Sequence, residues 1–150
     1  MICLPEPIRD FLAEHHVLSL AVCIGNRPWA ANAFFAFDEP RVRLLFLSST
    51  DTRHGEMLQA NRHVAGTIAG QPLAIPQVRG LQFYGSVRVL GQDHERQSAL
   101  GLYYARFPQA HGLSAPLWEI RLQHLKFTDN RQGFGSKLLW DRSGGVPVGK

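Results

Sequence analysis

The chain has 150 residues, 45% of them hydrophobic and 19% charged, with nine Phe and three Trp; folding such a chain as one domain over 1–150 buries about 70% of its surface, which excludes global disorder. The formal net charge of +4, counted with seven neutral histidines, favours anionic partners, but the cations are scattered singly rather than gathered into a nucleic-acid-binding stripe. No apolar run reaches the roughly 18 residues of a membrane helix and no signal-like segment follows Met1, so a cytoplasmic protein with no membrane span and with reduced Cys3 and Cys23 is expected.

In chain order, Pro5 and Pro7 introduce a short helix in which Ile8, Phe11, Leu12 and His15 share a face. Val17–Ile24 reads as a buried strand with Cys23 in the core, and Gly25-Asn26 turns it into a return strand, Trp29–Phe37. A third strand covers Val42–Leu47. The hydroxyl-rich run from Ser48 to Thr52 supplies possible N-caps for a helix from Arg53 to Asn61, with Met57 and Leu58 inward. Val64–Ala69 is a fourth strand and Arg79–Leu90 a fifth. In the fifth, Leu81, Phe83, Val87 and Val89 alternate with Gln82, Tyr84, Ser86 and Arg88, and Gly85 marks a bulge or a close backbone approach. Asp93 caps a further helix carrying Leu100, Tyr103 and Phe107.

The last long strand alternates through Trp118, Ile120 and Leu122, then changes phase to Leu125 and Phe127. That change predicts a bulge near Gln123-His124. Leu138–Trp140 adds a final short strand, the core ends near residue 140, and a loose tail is expected from 143 to 150. The pattern predicts a mainly β fold with peripheral helices, an antiparallel barrel of about six strands.

Ser48 to His54 lies where a strand ends and a helix starts. Unpaired N–H groups there attract anions, and the hydroxyls of Ser48, Thr50 and Thr52 with Arg53 add charge-assisted donors suited to a phosphate monoester. Asp51 counts against an anion unless its side chain turns away to cap the helix. The bland alternative is a well-capped surface helix. Arginine far outnumbers lysine, and guanidinium favours bidentate contact with phosphate or carboxylate. Ala30-Ala31-Asn32-Ala33-Phe34 would let a flat ligand approach a strand backbone; the competing reading is a tightly packed strand with a hydrogen-bonded Asn32. No metal site is expected, because His15-His16 cannot share a helix face and neither His54 nor His63 has partners at ligand spacing. Glu6, Glu14 and Glu119 stand apart, with no visible pairing for acid–base work. Gly133-Phe134-Gly135-Ser136-Lys137 reads as a hairpin turn rather than a phosphate loop.

The order of these segments resembles the FMN-binding split-barrel superfamily, which includes pyridoxamine phosphate oxidase, and within it the small bacterial YhbP-like family. The resemblance is carried by Trp29–Phe34, Thr52-Arg53-His54, Val64–Ile68, Arg79–Phe83, Ser114–Leu122, Lys126–Asn130 and Gly133-Phe134-Gly135, and it runs from about Ile8 to Trp140. It implies a six-stranded split β-barrel that forms a homodimer with FMN at the subunit interface. In this reading Asn32, Ala33 and Phe34 lie along the isoalloxazine, while Ser48, Thr50, Thr52, Arg53 and His54 take the ribityl phosphate. Gln82 reaches the flavin or its ribityl chain, and Trp118 or Trp140 closes the site from the partner subunit.

His54 stands where many relatives carry Lys, which weakens the phosphate site unless the imidazole is protonated. The C-terminal Arg-x-His-type segment that grips pyridoxal phosphate is missing, so the chain is not read as pyridoxamine phosphate oxidase proper. The implied function is flavin-dependent oxidoreduction, with NAD(P)H as a candidate reductant, an unidentified small-molecule substrate and no assigned catalytic residue. The alternatives are a non-catalytic binding module for flavin, haem or another flat cofactor, with His54, His63 and the tryptophans keeping haem open, and lastly a small basic nucleic-acid-binding barrel.

Overall fold

The computed structural model describes residues 2–144; most of the expected tail, residues 145–150, lies outside the described residues. Pro5 leads into α1 (Glu6–Glu14), which buries Ile8, Phe11 and Leu12. The hairpin of β1 (Val17–Ile24) and β2 (Arg27–Phe34) turns at Gly25 and Asn26, with φ of 54° and 62°. Two successive positive φ angles match the right-handed twist of the flanking strands.

The return strand then breaks, because Phe35 donates its N–H to the His16 carbonyl and buries its ring completely. Beyond it, β3 (Ala36–Asp38) leaves β1 and pairs with β4 (Arg43–Leu47). Next come α2 (Arg53–Ala60), β5 (His63–Ala69) and β6 (Arg79–Val89). They are followed by α3 (His94–Arg106), β7 (Leu117–Asp129) and β8 (Lys137–Asp141).

The strands form one curled antiparallel sheet in the order β2-β1-β5-β6-β7-β4-β3, with β8 also on β7. The sheet therefore has eight strands rather than the six expected. The split at Phe35 and the pairing of β8 account for the excess.

The phase change in β7 is a bulge: Tyr84 pairs with His124 and Gly85 with Leu122, leaving Gln123 extra. The bulge also divides β7 between two neighbours, β4 before it and β8 after it. Gly85 makes the close approach, since a Cβ there would lie 2.4 Å from the Arg121 carbonyl oxygen. Phe11, Phe35, Phe46 and Trp118 fill the inner core, while α3 lays Ala99, Tyr103 and Phe107 over Leu45, Leu90 and Leu117 on the other side of the sheet.

Two expectations need correction. Cys23 is exposed, because Leu18, Leu20 and Val22 take the inward phase of β1. Glu119 does not stand apart: it is buried, bonded to Arg43 and Arg88. Among the described residues no helix is long and apolar enough to cross a membrane.

Candidate functional site

The segment after β4 forms a tight, self-bonded loop. Thr52 caps α2 by accepting the Gly55 N–H at 3.0 Å, and its own hydroxyl donates to the Ser49 carbonyl at 3.1 Å. Asp51 is exposed and is not the cap, so its carboxylate remains at the loop surface and counts against an anion there, as expected of an uncapping Asp51. Gly55 is required here, since a Cβ would fall 2.3 Å from the Ser49 carbonyl oxygen. The loop is anchored from below by the Trp118 indole N–H, which donates to the Ser48 carbonyl at 2.8 Å. Trp118 is a core residue, 1% exposed and stacked on Phe46, so it supports the loop from inside rather than facing a ligand. Trp140 is half-buried and donates to the Cys3 carbonyl.

His54 is tied into the same loop. Its Nε2 lies 2.7 Å from Ser48 Oγ and 3.2 Å from Thr52 Oγ1. Because the Thr52 hydrogen is engaged by Ser49, Thr52 can only accept from the imidazole. Burial pushes the His54 pKa below its ordinary value of 6.5, so the neutral ring is favoured. An unfolded chain then takes up this proton before the folded one. The stability attached to neutral His54 is complete above about pH 6.5 and is lost as pH falls below it. We expect urea midpoints to drop between about pH 7.5 and 5.5, and His54→Gln to shrink that drop; an equal drop in the variant would remove His54 as its source.

Arg53, in contrast, is free to receive a ligand. Its guanidinium sits 4.0 Å over the Trp29 ring and makes no hydrogen bond or ion pair among the described residues. The indole holds the cation in place without neutralising it. The α2 start adds main-chain donors with no intrahelical acceptor.

The other candidate residues lie on β2 and across the sheet. Asn32 pairs with Ser19, Ser19 with Thr67, Thr67 with Gln82, and Gln82 with Lys126, so one polar row crosses the outer face of β2, β1, β5, β6 and β7. Phe34 is 56% exposed on the same face, beside His16. Ala33 points the other way and packs against the core. Thus Asn32, Phe34 and Gln82 share a surface, whereas Ser48 to His54 approach β2 from its opposite face, where Trp29 is.

Strand β2 joins the two groups. It is an edge strand, bonded to β1 on one side only, and its small side chains leave the free main-chain edge accessible. Asn32, Ser19 and Thr67 also line a cavity of about 730 Å³ that His15 and His16 bound. This is within the size range of ligand pockets. A second groove of about 620 Å³ runs between α1 and the β7–β8 end. There Arg79 is paired with Glu14 at 2.6 Å and Arg131 with Asp129 at 2.9 Å. Those guanidiniums hold both carboxyls below their usual range, so both arginines of this groove are already paired.

Reading the sequence residue by residue missed Trp29, Ser19 and Thr67 as site residues. Their signal was present: Ser19 and Thr67 are the hydroxyl-bearing outward positions of otherwise apolar strands.

Comparison with known proteins places this geometry. The pyridoxamine 5′-phosphate oxidase family profile matches residues 4–129. The UPF0306 protein YhbP of Escherichia fergusonii is 46% identical over 139 residues, covering 93% of this chain and 94% of that protein. A haem-binding protein from Mycobacterium smegmatis superposes with a TM-score of 0.75 at 14% identity, over 95% of this chain but only 61% of that longer chain. A FAD-binding protein from Mesorhizobium loti superposes with a TM-score of 0.65 at 14% identity, over 81% of this chain and 92% of that one.

Proposed function

Because this chain belongs to the pyridoxamine 5′-phosphate oxidase-like split-barrel superfamily and, within it, to the UPF0306 family of YhbP proteins, we propose that it is an FMN-binding oxidoreductase acting on an unidentified small molecule. The observation that carries the reading is Arg53, a cation at the start of α2 that has no ion-pair partner among the described residues and is held over Trp29 of the exposed edge strand β2. The fit to FMN is chemical: a dianionic phosphate suits Arg53 with Ser48, Thr50 and the α2 start, and a flat ring with its own donors and acceptors suits the free edge of β2. Asn32 and Gln82 offer amides to the ring or the ribityl hydroxyls from the outer face. Bound flavin supplies hydride and electron transfer, and the residues of this chain bind, orient and shield it.

His54 is engaged with Ser48 and Thr52, so it orders the phosphate loop more than it charges it. That makes Arg53 the principal cation of the site. Ala30, Ala21 and Ala65 form a second row beside the polar one, flanked by Val17, Phe34 and Tyr84 at the surface. Such a flat face of small side chains is suited to a second copy, and a cytoplasmic homodimer with the flavin at its interface is part of the proposal.

The test is addition of FMN to purified protein, followed by gel filtration at dimer resolution. Flavin absorbance that coelutes with a dimer and is bleached by NADH or NADPH supports the oxidoreductase. Coeluting flavin that no reductant bleaches leaves a binding module. Protein that ignores FMN but takes up haem overturns the flavin reading.

A further inference from the structure

A cluster of arginines lies away from the β2 edge, where β3, β4, β7 and the start of α3 meet. Arg43 is 2% exposed and donates to Asp38 at 2.7 Å, Glu95 at 3.0 Å and Glu119 at 2.5 Å. Arg88 bonds Glu95 at 2.6 Å and Glu119 at 2.5 Å, and Arg41 lies 3.7 Å from Asp38. Every carboxylate of the cluster is thereby shared among Arg41, Arg43 and Arg88.

Two guanidiniums are left over. Arg121 faces Arg43 directly across the β4–β7 pair, a like-charge opposition that a sheet ordinarily avoids. It has no hydrogen-bond or ion-pair partner among the described residues. Among the described residues Arg142 donates only to main-chain carbonyls, those of Leu122, Val42 and Arg41. Burial and the neighbouring Arg121 charge both push its pKa down, outweighing the opposing pull of the Glu119 carboxylate. Arg43 Nη2 is also buried without an acceptor among the described residues. All four of Arg41, Arg43, Arg121 and Arg142 line one cavity of about 560 Å³.

We propose that this cavity binds a phosphate-type dianion, either free or as the terminal group of a small phosphorylated metabolite. Two uncompensated guanidiniums match a dianion in charge, and their planar forks match a tetrahedral oxyanion in geometry. A single carboxylate would balance only half of that charge. The site is separate from the Arg53 loop and does not depend on the flavin reading.

The experiment uses full-length protein carrying Arg53→Ala, so that the loop does not compete, at constant ionic strength. Inorganic phosphate and ribose 5-phosphate are titrated in turn by calorimetry. Saturable binding is expected, and adding Arg121→Ala should weaken it roughly 10- to 100-fold, as for a lost charge-assisted bond. Tighter binding of ribose 5-phosphate identifies a metabolite, and equal binding identifies free phosphate. Arg121→Glu builds in the missing charge, so it should raise the melting midpoint without phosphate and abolish any further rise with it. Absence of saturable heat, binding indifferent to Arg121→Ala, or the same loss in Lys137→Ala, a cation of another groove, overturns the site and leaves an adventitious ion only.

Discussion

Replacing Arg53 with alanine is expected to weaken FMN binding by about 1.5–3 kcal/mol, the usual worth of hydrogen bonds to a charged group, or roughly 10- to 100-fold. The loss should fall on binding alone. Arg53 is exposed, and its contact with Trp29 is worth about 0.5–1 kcal/mol at such a site, so the melting midpoint should barely move. Arg53→Lys should recover part of the affinity, since it restores the charge but not the planar fork. Asn32→Leu probes the other end of the ligand. Residues that lie on opposite faces of β2 and share no partner should lose affinity additively, and the double variant checks this. Quenching of FMN fluorescence on titration measures all four proteins. Unchanged affinity in folded Arg53→Ala would remove the loop from the site and shift attention to the His15–His16 cavity.

The parts of this design that were readable in the sequence are those fixed by local rules. Thr52 was among the possible caps because its hydroxyl precedes a helix, and the change of apolar phase after Leu122 located the bulge at Gln123. Gly85 announced the close approach to β7 for the same reason: a side chain was missing where the pattern wanted one. What could not be read depends on orientation or on long-range pairing. Val17–Ile24 is apolar at every position except Ser19, and with that single polar cue to the phase unread, Cys23 falls on the wrong side. Trp118 fitted both an inward alternation and a site role, and packing against Phe46 decided for the core. Trp29 lies far in sequence from Arg53, and only the fold brings the two into contact. Nothing local could have shown that Arg43 would gather Asp38, Glu95 and Glu119.

That gathering sets up the largest stability effect expected in this protein. Arg43→Met should destabilise the fold by about 3–5 kcal/mol, the usual consequence of breaking a buried ion pair from one side. Asp38 is 1% exposed and Glu119 6%, so neither can recover hydration when the guanidinium goes. Methionine restores most of the packing volume, which isolates the electrostatic part of the loss. At this chain length the melting midpoint should fall by roughly 10 °C or more. Arg88 and Arg41 reach the same carboxylates but from the exposed side, and they cannot replace a buried donor. Arg43→Lys should also destabilise, because one ammonium cannot span bonds that run to three different elements. Combining Arg43→Met with Glu119→Gln should cost less than the sum of the two, since the second change removes the charge that the first one strands. Strict additivity of the two losses in urea denaturation would show that Arg43 acts through packing alone. The network also bears on the candidate site through β4: Arg43 fixes one end of that strand, and the Trp118 bond to Ser48 fixes the residue that follows the other, so the Ser48–His54 loop is presented from a strand held at both ends.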